Sequence, residues 1–271
     1  NINFDQDTSI IDVINNEIYP NKIISSNNNK NNVLIAGCGT GNQILQACRY
    51  KNSDIIGIDL SLSSLSYTQR KLYELNISNV KLFQMDILNL NSINKKFDII
   101  ECGGVLHHME SPSDGLASLL SVLNFNGFIK IGLYSEISRS IIVQARNIIN
   151  ENNYTNDIEG IRSFRTDVLC NKYPDIVNLQ YWRNFYSISE CRDLCFHSQE
   201  HRFTICQIQQ LLKFFDLRFL GFLLPRQIKS QYLNLFPDDL LSTNLDNWSK
   251  FEEINPNTFV SMYQFWVTRS I

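Results

Sequence analysis

The amino-acid sequence predicts an α/β fold with a doubly wound, mostly parallel sheet. Short apolar runs alternate, in the first half of the chain, with stretches whose leucines and isoleucines recur at helical spacing. The first run, residues 33–36, leads directly into three alternating glycines, Gly37, Gly39 and Gly41. Three later runs also end in polar or glycine residues. Because parallel strands end at one edge of such a sheet, these residues predict a ligand crevice there.

The first strand and its glycine turn carry the clearest pattern. An apolar run with a β-branched start is typical of a buried parallel strand, and glycines allow a ligand to approach the backbone of the turn closely. Residues 43–50 place Ile44, Leu45 and Ala47 on one face, which predicts a helix that begins at the turn. The first N–H groups of that helix would point towards the ligand.

The next elements repeat this strand and helix alternation. The second strand, residues 54–59, ends in Asp59, near the spacing from the glycines at which a carboxylate meets a ribose in nucleotide-binding sheets. The third to fifth strands are expected at residues 80–85, 97–102 and 128–134, with helices over 62–75 and 113–123 and a turn over 124–127.

The spacing of the glycines separates two classes of cofactor. A dinucleotide fingerprint would need its third glycine at position 42, which is Asn42 here. The third glycine comes one residue earlier, at Gly41, and this pattern resembles motif I of the class I S-adenosylmethionine-dependent methyltransferases. Residues 103–109, which include Gly103 and His107, are similar to motif IV of that family. An NAD-dependent oxidoreductase would use the same Asp59, but the glycine spacing opposes it.

The resemblance implies a seven-stranded Rossmann-like methyltransferase sheet with helices on both faces, an antiparallel last strand and S-adenosyl-L-methionine as cofactor. It places the methionine part of the cofactor on the glycine turn, the ribose at Asp59 and the adenine beside Asp86. The implied cofactor-binding residues are Gly37, Cys38, Gly39, Gly41, Asp59, Leu60, Asp86, Ile87, Cys102 and Gly103. One position departs from the family, because many members carry an acidic residue where this chain has Ala36.

The second half of the chain predicts a helical insertion followed by the end of the sheet. Residues 136–203 read as helical and contain an aromatic cluster. Its members are Tyr181, Trp182, Phe185 and Tyr186. Thr204 is expected to cap a helix over 205–215, and residues 217–224 and 259–267 are expected to be strands six and seven. In the resembled family, an insertion after strand five is associated with acceptor binding.

The predicted methyltransferase domain covers residues 33–271 and is preceded by an N-terminal arm over residues 1–32. The arm is rich in Asn, Asp and Ser, with a short helix near residues 10–18 and a polar linker over 25–32. Because the sequence starts at Asn1 rather than at a methionine, we expect it to be part of a longer polypeptide.

Three residues are candidates for catalysis on the acceptor side. His107 follows the glycine pair after the fourth strand, and Tyr134 lies just beyond the fifth. His201 belongs to the insertion, which we expect to lie as a lid over the ends of strands four and five. A structural interpretation stays open for each residue, with His107 packed against the cofactor, Tyr134 in loop hydrogen bonding and His201 in an interior polar network.

His197, Glu200 and His201 also match the His-x-x-Glu-His pattern of one group of zinc enzymes. On one helix the two histidines would share a face, and Glu200 would be placed to activate water. The sequence specifies no third ligand, and the nucleotide fold already accounts for the chain. We therefore expect no metal and assign these residues to the acceptor pocket or to an interior polar network.

Composition limits the partners of the protein. A formal net charge of −3 and a pI near 5.8 provide no basic surface for nucleic acid, and no apolar run of about 18 residues indicates a membrane span. The 7 cysteines are scattered through apolar contexts, which fits reduced thiols in the cytoplasm better than a disulfide framework.

The sequence therefore predicts a methyltransferase with an unidentified small-molecule or protein acceptor. The sulfonium of the cofactor already activates its methyl group, so the in-line approach of the acceptor provides much of the rate. A base is needed only if the acceptor must lose a proton. The alternative is a non-catalytic S-adenosylmethionine-binding or interaction module, which would keep the glycine turn without a usable acceptor pocket.

Overall fold

The computed structural model describes residues 8–23, 31–197, 200–260 and 262–270. These residues contain one seven-stranded sheet in the order β3-β2-β1-β4-β5-β7-β6. Its strands are β1 Asn31–Ala36, β2 Ser53–Asp59, β3 Val80–Gln84, β4 Phe97–Gly103, β5 Leu123–Leu133, β6 Leu217–Phe222 and β7 Tyr263–Arg269. Strands β1 to β5 pair in parallel, whereas β7 is antiparallel to β5 and to β6. The predicted doubly wound sheet with an antiparallel last strand is confirmed.

The described ranges contain ten α-helices. They are α1 Ile10–Ile18, α2 Asn42–Ala47, α3 Leu62–Glu74, α4 Pro112–Ser121, α5 Ser140–Glu151, α6 Ile158–Leu169, α7 Ile188–Cys195, α8 Ile205–Phe214, α9 Arg226–Leu235 and α10 Leu245–Ile254. Ser61 caps α3 by accepting the Ser64 N–H, and Thr204 caps α8 through a capping box with Gln207. In this part of the chain no helix combines the length and the apolar character that crossing a bilayer requires.

The two faces of the sheet bury separate cores. On one face, strand residues such as Ile35 pack with Ile14 of α1 and Ile44 of α2. On the other face, strand residues pack with the leucines of α4 and with Trp248 of α10. Alternate residues of each buried strand point to opposite faces, so near-continuous apolar runs are needed to fill both cores.

The insertion after β5 has a third core of its own. Helices α5, α6 and α7 bury residues such as Ile142, Phe164 and Leu194 together. Of the predicted aromatic cluster, Phe185 is fully buried in this core, while Tyr181 and Tyr186 are 78% and 51% exposed. Phe185 therefore stabilises the insertion itself. The expectation that the aromatic cluster lies over the ends of β4 and β5 stays a prediction.

Two predictions differ from the structure, and two helices were not predicted. Residues 124–127 are not a turn but part of β5, where the register jumps so that Phe97 and Ile99 of β4 face Leu123 and Phe128. Asparagine and glycine there suggested a turn, but they form a bulge in an extended strand. Strand β7 begins at Tyr263 rather than at residue 259, and α9 and α10 were not predicted.

The N-terminal arm is only partly described. The predicted short helix corresponds to α1, which packs on the sheet through its apolar face. Most of the predicted polar linker, residues 25–30, lies outside the described residues, and residues 31 and 32 begin β1.

Candidate cofactor and acceptor site

The glycine turn after β1 is fixed by the backbone of the neighbouring strand. The N–H groups of Gly37 and Cys38 both donate to the Ile58 carbonyl, each at 2.9 Å. Gly37, Gly39 and Gly41 have positive φ angles of 73°, 51° and 90°. This left-handed conformation is unfavourable for residues with a side chain, which explains the three alternating glycines.

The three glycines differ in what surrounds them. A Cβ atom on Gly37 would lie 2.2 Å from Val105, and a Cβ atom on Gly41 would lie 2.8 Å from Thr68. A Cβ atom on Gly39 would meet nothing within 4 Å. Gly39 therefore faces open space at the carboxyl edge of the sheet, where a ligand can contact the backbone.

Asp59 ends β2 directly beside this turn. Its Oδ2 accepts the Gly39 N–H at 2.7 Å, and its Oδ1 accepts the Ser61 N–H at 2.8 Å. A carboxylate has about four lone-pair positions, so it can accept further hydrogen bonds from a ribose. The side chain therefore orients the turn and remains able to bind a diol.

A cleft of about 730 Å³ begins at Leu60, the residue that follows Asp59. Its lining residues include Leu60, Met85, Asp86, Leu88 and Asn89. Leu60 and Leu88 are 67% and 49% exposed, and the Asp86 Oδ1 accepts the Leu88 N–H at 2.9 Å. Exposed leucines beside a carboxylate combine an apolar surface with a hydrogen-bond acceptor, as a purine ring with an amino group requires.

Three residues of the predicted cofactor set have buried side chains. Cys38, Ile87 and Cys102 are 5%, 6% and 0% exposed. Burial raises the pKa of Cys38 and of Cys102 to about 12, so both thiols stay protonated and are not nucleophiles. Any contact of these three residues with a cofactor would come from their backbone.

Gln43, on the first turn of α2, is a further candidate site residue that was not predicted from the sequence. Its Nε2 donates to the Gly103 carbonyl at 3.0 Å, while its buried Oε1 has no hydrogen-bond partner among the described residues. An unpaired buried acceptor is unfavourable, and a donor such as the ammonium group of S-adenosylmethionine would satisfy it. The residues present therefore fit the implied cofactor. The sequence feature that could have identified Gln43 is its position close to the glycine turn.

His107, His108 and Tyr134 form a cluster of rings beyond the ends of β4 and β5. The ring centroids of His107 and Tyr134 are 3.7 Å apart, and those of the two histidines are 4.4 Å apart. Burial, helped by the charges of His108 and Arg139, lowers the pKa of His107 to about 3, although the Gly132 carbonyl opposes this shift. Burial also raises the pKa of Tyr134. His107 and Tyr134 are therefore both neutral near pH 7.

The insertion returns to the sheet beside these rings. The His201 N–H donates to the His107 carbonyl at 2.7 Å, and the ring of His197 lies 4.2 Å from that of His108. The Nε2 of His201 is buried without a hydrogen-bond partner in the described part of the chain. The structure thus packs the rings of His107 and Tyr134 together and binds the backbone of His201 to that of His107.

Glu200 holds this return segment through a buried ion-pair network. Its side chain is 0% exposed and accepts hydrogen bonds from both Nε and Nη2 of Arg139 and, at 2.9 Å, from Arg146. The Arg139 guanidinium lies 3.9 Å from the centroid of the Tyr134 ring. Because two arginines occupy the Glu200 carboxylate, this side chain is not placed to activate a zinc-bound water.

Comparison with known families decides between the cofactor classes. A family described as a methyltransferase domain matches residues 27–190, more than half of the chain. The chain belongs to this methyltransferase family. The matched region contains the glycine turn, Asp59, Asp86 and His107, the residues on which the resemblance was based.

Two relatives match this methyltransferase domain over part of their own length. An uncharacterized protein of Synechococcus is 28% identical over 199 residues, which cover 70% of this chain and 48% of the relative. The tRNA U34 carboxymethyltransferase of Campylobacter fetus is 33% identical over 100 residues, which cover 36% of this chain and 35% of that protein. The matched residues therefore cover about half or less of each of these relatives.

Solved structures show the same methyltransferase fold over nearly the whole chain. PKMT2 from Rickettsia typhi superimposes with a TM-score of 0.67 at 18% identity, covering 93% of this chain and 53% of that protein. A second structure of PKMT2, in complex with AdoHcy, gives a TM-score of 0.64 at 19% identity and covers 89% of this chain and 49% of that one. At this identity the likeness shows the fold alone.

Replacing Gly39 by alanine in the methyltransferase domain should weaken binding of S-adenosylhomocysteine about tenfold, because the added methyl group enters the open space above the turn. Isothermal titration calorimetry measures the change. Asn153→Ala is the control, since this variant also places an alanine at a positive φ, 55°, but on the exposed insertion. Equal affinity of the Gly39 variant and the wild type would remove Gly39 from the ligand surface.

The buried His107 should make the stability of the domain depend on pH. Its pKa is near 3 when folded and near 6.5 when unfolded, so between these values the unfolded state binds more protons. The contribution of His107 to the unfolding free energy therefore falls as pH decreases from 6.5 towards 3. The unfolding free energy from urea titration, plotted against pH, should fall more steeply for the wild type than for His107→Phe as pH decreases towards 3. Parallel curves would contradict this burial of a neutral imidazole.

Proposed function

We propose that the domain transfers the methyl group of S-adenosyl-L-methionine to a small-molecule or protein acceptor. The observation that carries this proposal is the turn at Gly39, which faces open space while its N–H is held by Asp59. In this arrangement the methionine part would lie on the turn, the ribose at Asp59 and the adenine in the cleft beside Asp86. Membership of the methyltransferase family supports the same cofactor.

The side chains would orient the two reactants rather than transfer protons. The cofactor supplies an activated methyl group on a sulfonium. His107 is a weak base because its pKa is near 3, and Tyr134 keeps its phenol proton because burial raises its pKa. We assign His107 and Tyr134 to packing and positioning of the acceptor, and His201, whose buried Nε2 has no hydrogen-bond partner in the described residues, to a direct polar contact with it.

The ring cluster and the net charge favour an acceptor that is not a nucleic acid. Imidazole and phenol rings offer a partly apolar wall with polar atoms, and the chain carries a formal net charge of −3. A tRNA acceptor is the second candidate, because the Campylobacter fetus relative is named for tRNA. That match covers 36% of this chain, so it supports a shared domain more than a shared acceptor.

We also propose that the protein works in the cytoplasm and that this domain is part of a longer polypeptide. All seven cysteines are free thiols, and five of them are buried. Unpaired cysteines in this number are typical of a reducing compartment. The greater length of the relatives supports the second proposal.

Calorimetry with S-adenosylmethionine, S-adenosylhomocysteine and NAD tests the cofactor, and transfer of a labelled methyl group tests the acceptor. We expect both adenosyl compounds to bind and NAD not to bind. Label from S-adenosylmethionine should appear in a small-molecule or protein fraction of a cell extract. Label that ribonuclease releases would contradict the proposed acceptor class. Binding without transfer to any fraction would favour the non-catalytic module.

A further inference from the structure

Gly39 is held from two sides by the unit formed by β2 and α3. Its N–H donates to Asp59 at the end of β2, at 2.7 Å. Its carbonyl oxygen accepts a hydrogen bond from the Oγ1 of Thr68, in the middle of α3, at 3.1 Å. Thr68 is 2% exposed, although it is a polar residue. The two polar backbone groups of one ligand-facing glycine are therefore both bound by side chains.

The methyl group of Thr68 contacts the same turn at a second point. A Cβ atom on Gly41 would lie 2.8 Å from the Cγ2 of Thr68 and 2.9 Å from its Oγ1. The side chain thus lies directly against Gly41 while its hydroxyl binds the Gly39 carbonyl. The two branches of the Thr68 side chain therefore have separate roles. The methyl group limits the space beside Gly41, and the hydroxyl sets the orientation of the peptide group that follows Gly39.

We propose that Thr68 is a positioning residue for the cofactor, acting through the peptide group that follows Gly39. A glycine can change its φ and ψ angles at little steric cost, so its left-handed conformation must be imposed by its surroundings. Asp59 fixes the peptide plane before Gly39, and Thr68 fixes the plane after it. The inference rests on the proposed placement of the cofactor on this turn.

Stability and affinity distinguish a positioning role of Thr68 from a merely structural one. If Thr68 only joined α3 to the turn, losing its hydroxyl would lower stability without a specific effect on affinity. If Thr68 orients the turn, the unliganded protein would populate other orientations of the Gly39 carbonyl. Binding would then have to restore the competent orientation, which raises the apparent Kd.

The chain provides a matched control for this test. Thr268 on β7 is also buried, at 6% exposure, and its Oγ1 donates to the carbonyl of Gly127 at 2.9 Å. Thr268→Val and Thr68→Val therefore remove the same kind of hydrogen bond, from a threonine hydroxyl to a glycine carbonyl. Gly127 lies on β5 before its parallel pairing with β4 resumes, away from the carboxyl edge. Thr68→Ser keeps the hydroxyl and removes only the methyl group.

The experiment measures the Kd for S-adenosylhomocysteine by calorimetry and the unfolding midpoint in urea for wild type and the three variants. We expect Thr68→Val to raise Kd about tenfold, Thr68→Ser to stay within about threefold, and Thr268→Val to leave Kd unchanged. Both valine variants should lose similar stability. Equal losses of affinity in Thr68→Val and Thr68→Ser, or in Thr68→Val and Thr268→Val, would overturn the inference.

Amide hydrogen exchange of the unliganded proteins gives a second measurement, which uses the serine variant if Thr68→Val does not fold. We expect Thr68→Val to speed exchange in a peptide covering residues 37–42 but not in one covering β4, and Thr68→Ser to exchange like the wild type. Faster exchange throughout Thr68→Ser would contradict a role for the hydroxyl. A wild type that does not bind S-adenosylhomocysteine would contradict the cofactor assignment itself, and with it this inference.

Discussion

Replacing Asp59 by alanine is expected to raise the Kd for S-adenosylhomocysteine about 100-fold. The change removes a charged acceptor that binds the Gly39 and Ser61 N–H groups and that is assigned to the ribose hydroxyls. Hydrogen bonds to charged groups contribute about 1.5–3 kcal/mol each, and two factors of ten in Kd correspond to about 2.8 kcal/mol. Calorimetry of the folded variant measures the effect.

Asp98 provides a control for this substitution. Its carboxylate also accepts a backbone N–H, from Asn32 at 2.8 Å, and a side-chain N–H, from Asn124 at 2.6 Å. It lies near the start of β4, whereas Asp59 lies at the end of β2. Asp98→Ala should lower stability and leave Kd unchanged. Unchanged affinity in Asp59→Ala would remove Asp59 from the cofactor site.

Replacing Glu200 by glutamine is expected to destabilise the domain by about 3–5 kcal/mol, because it leaves buried charge without its counter-ion. Arg139 is 3% exposed, and Arg146 is 17% exposed at the side chain, so water does not readily replace the carboxylate. The unfolding free energy from urea titration measures the loss. Residues 200–203, where the insertion returns to the sheet, should also exchange their amide protons faster, since Glu200 connects them to Arg139 at the start of α5.

Glu136→Gln is the matched control for Glu200→Gln. Glu136 pairs with Arg202 at 3.1 Å, but the two side chains are 47% and 26% exposed. An exposed pair of this kind contributes about 0–1 kcal/mol. If both substitutions cost the same, the buried network would not be what holds the insertion against the sheet.

The sequence was sufficient to predict the sheet and the cofactor edge because both depend on local patterns. Buried parallel strands need continuous apolar runs, as at residues 33–36, and the left-handed turn needs glycine at fixed positions. The end of each strand then follows from the chain itself, which places Asp59 and Asp86 at one edge. Their predicted roles in binding ribose and adenine remain predictions that the experiments above test.

The residues of the acceptor side could be predicted only from their position in the chain after β4 and β5. Glu200 meets Arg139 across 61 residues of sequence, and no periodic pattern indicates such a contact. Thr68 looks like any polar residue on an amphipathic helix until the glycine turn is folded beside it. The bulge in β5 was missed because its asparagines and glycine are typical of turns, whereas pairing with β4 keeps the strand extended.

The burial of His107 shows how packing can change the expected role of a residue. From sequence, a histidine at the end of a strand is a candidate base, since its ordinary pKa lies near 6.5. Packing against Tyr134 and His108 removes it from water and keeps it neutral. We therefore propose that this site orients an acceptor that is already nucleophilic.

A crystal structure of the protein with S-adenosylhomocysteine tests the central claim most directly. We predict the ribose hydroxyls within about 3.2 Å of the Asp59 carboxylate and the sulfur within about 15 Å of the His201 ring, a distance that an ordinary acceptor pocket can bridge. A ligand whose ribose does not contact Asp59, or whose sulfur lies farther from His201, would contradict the proposed site.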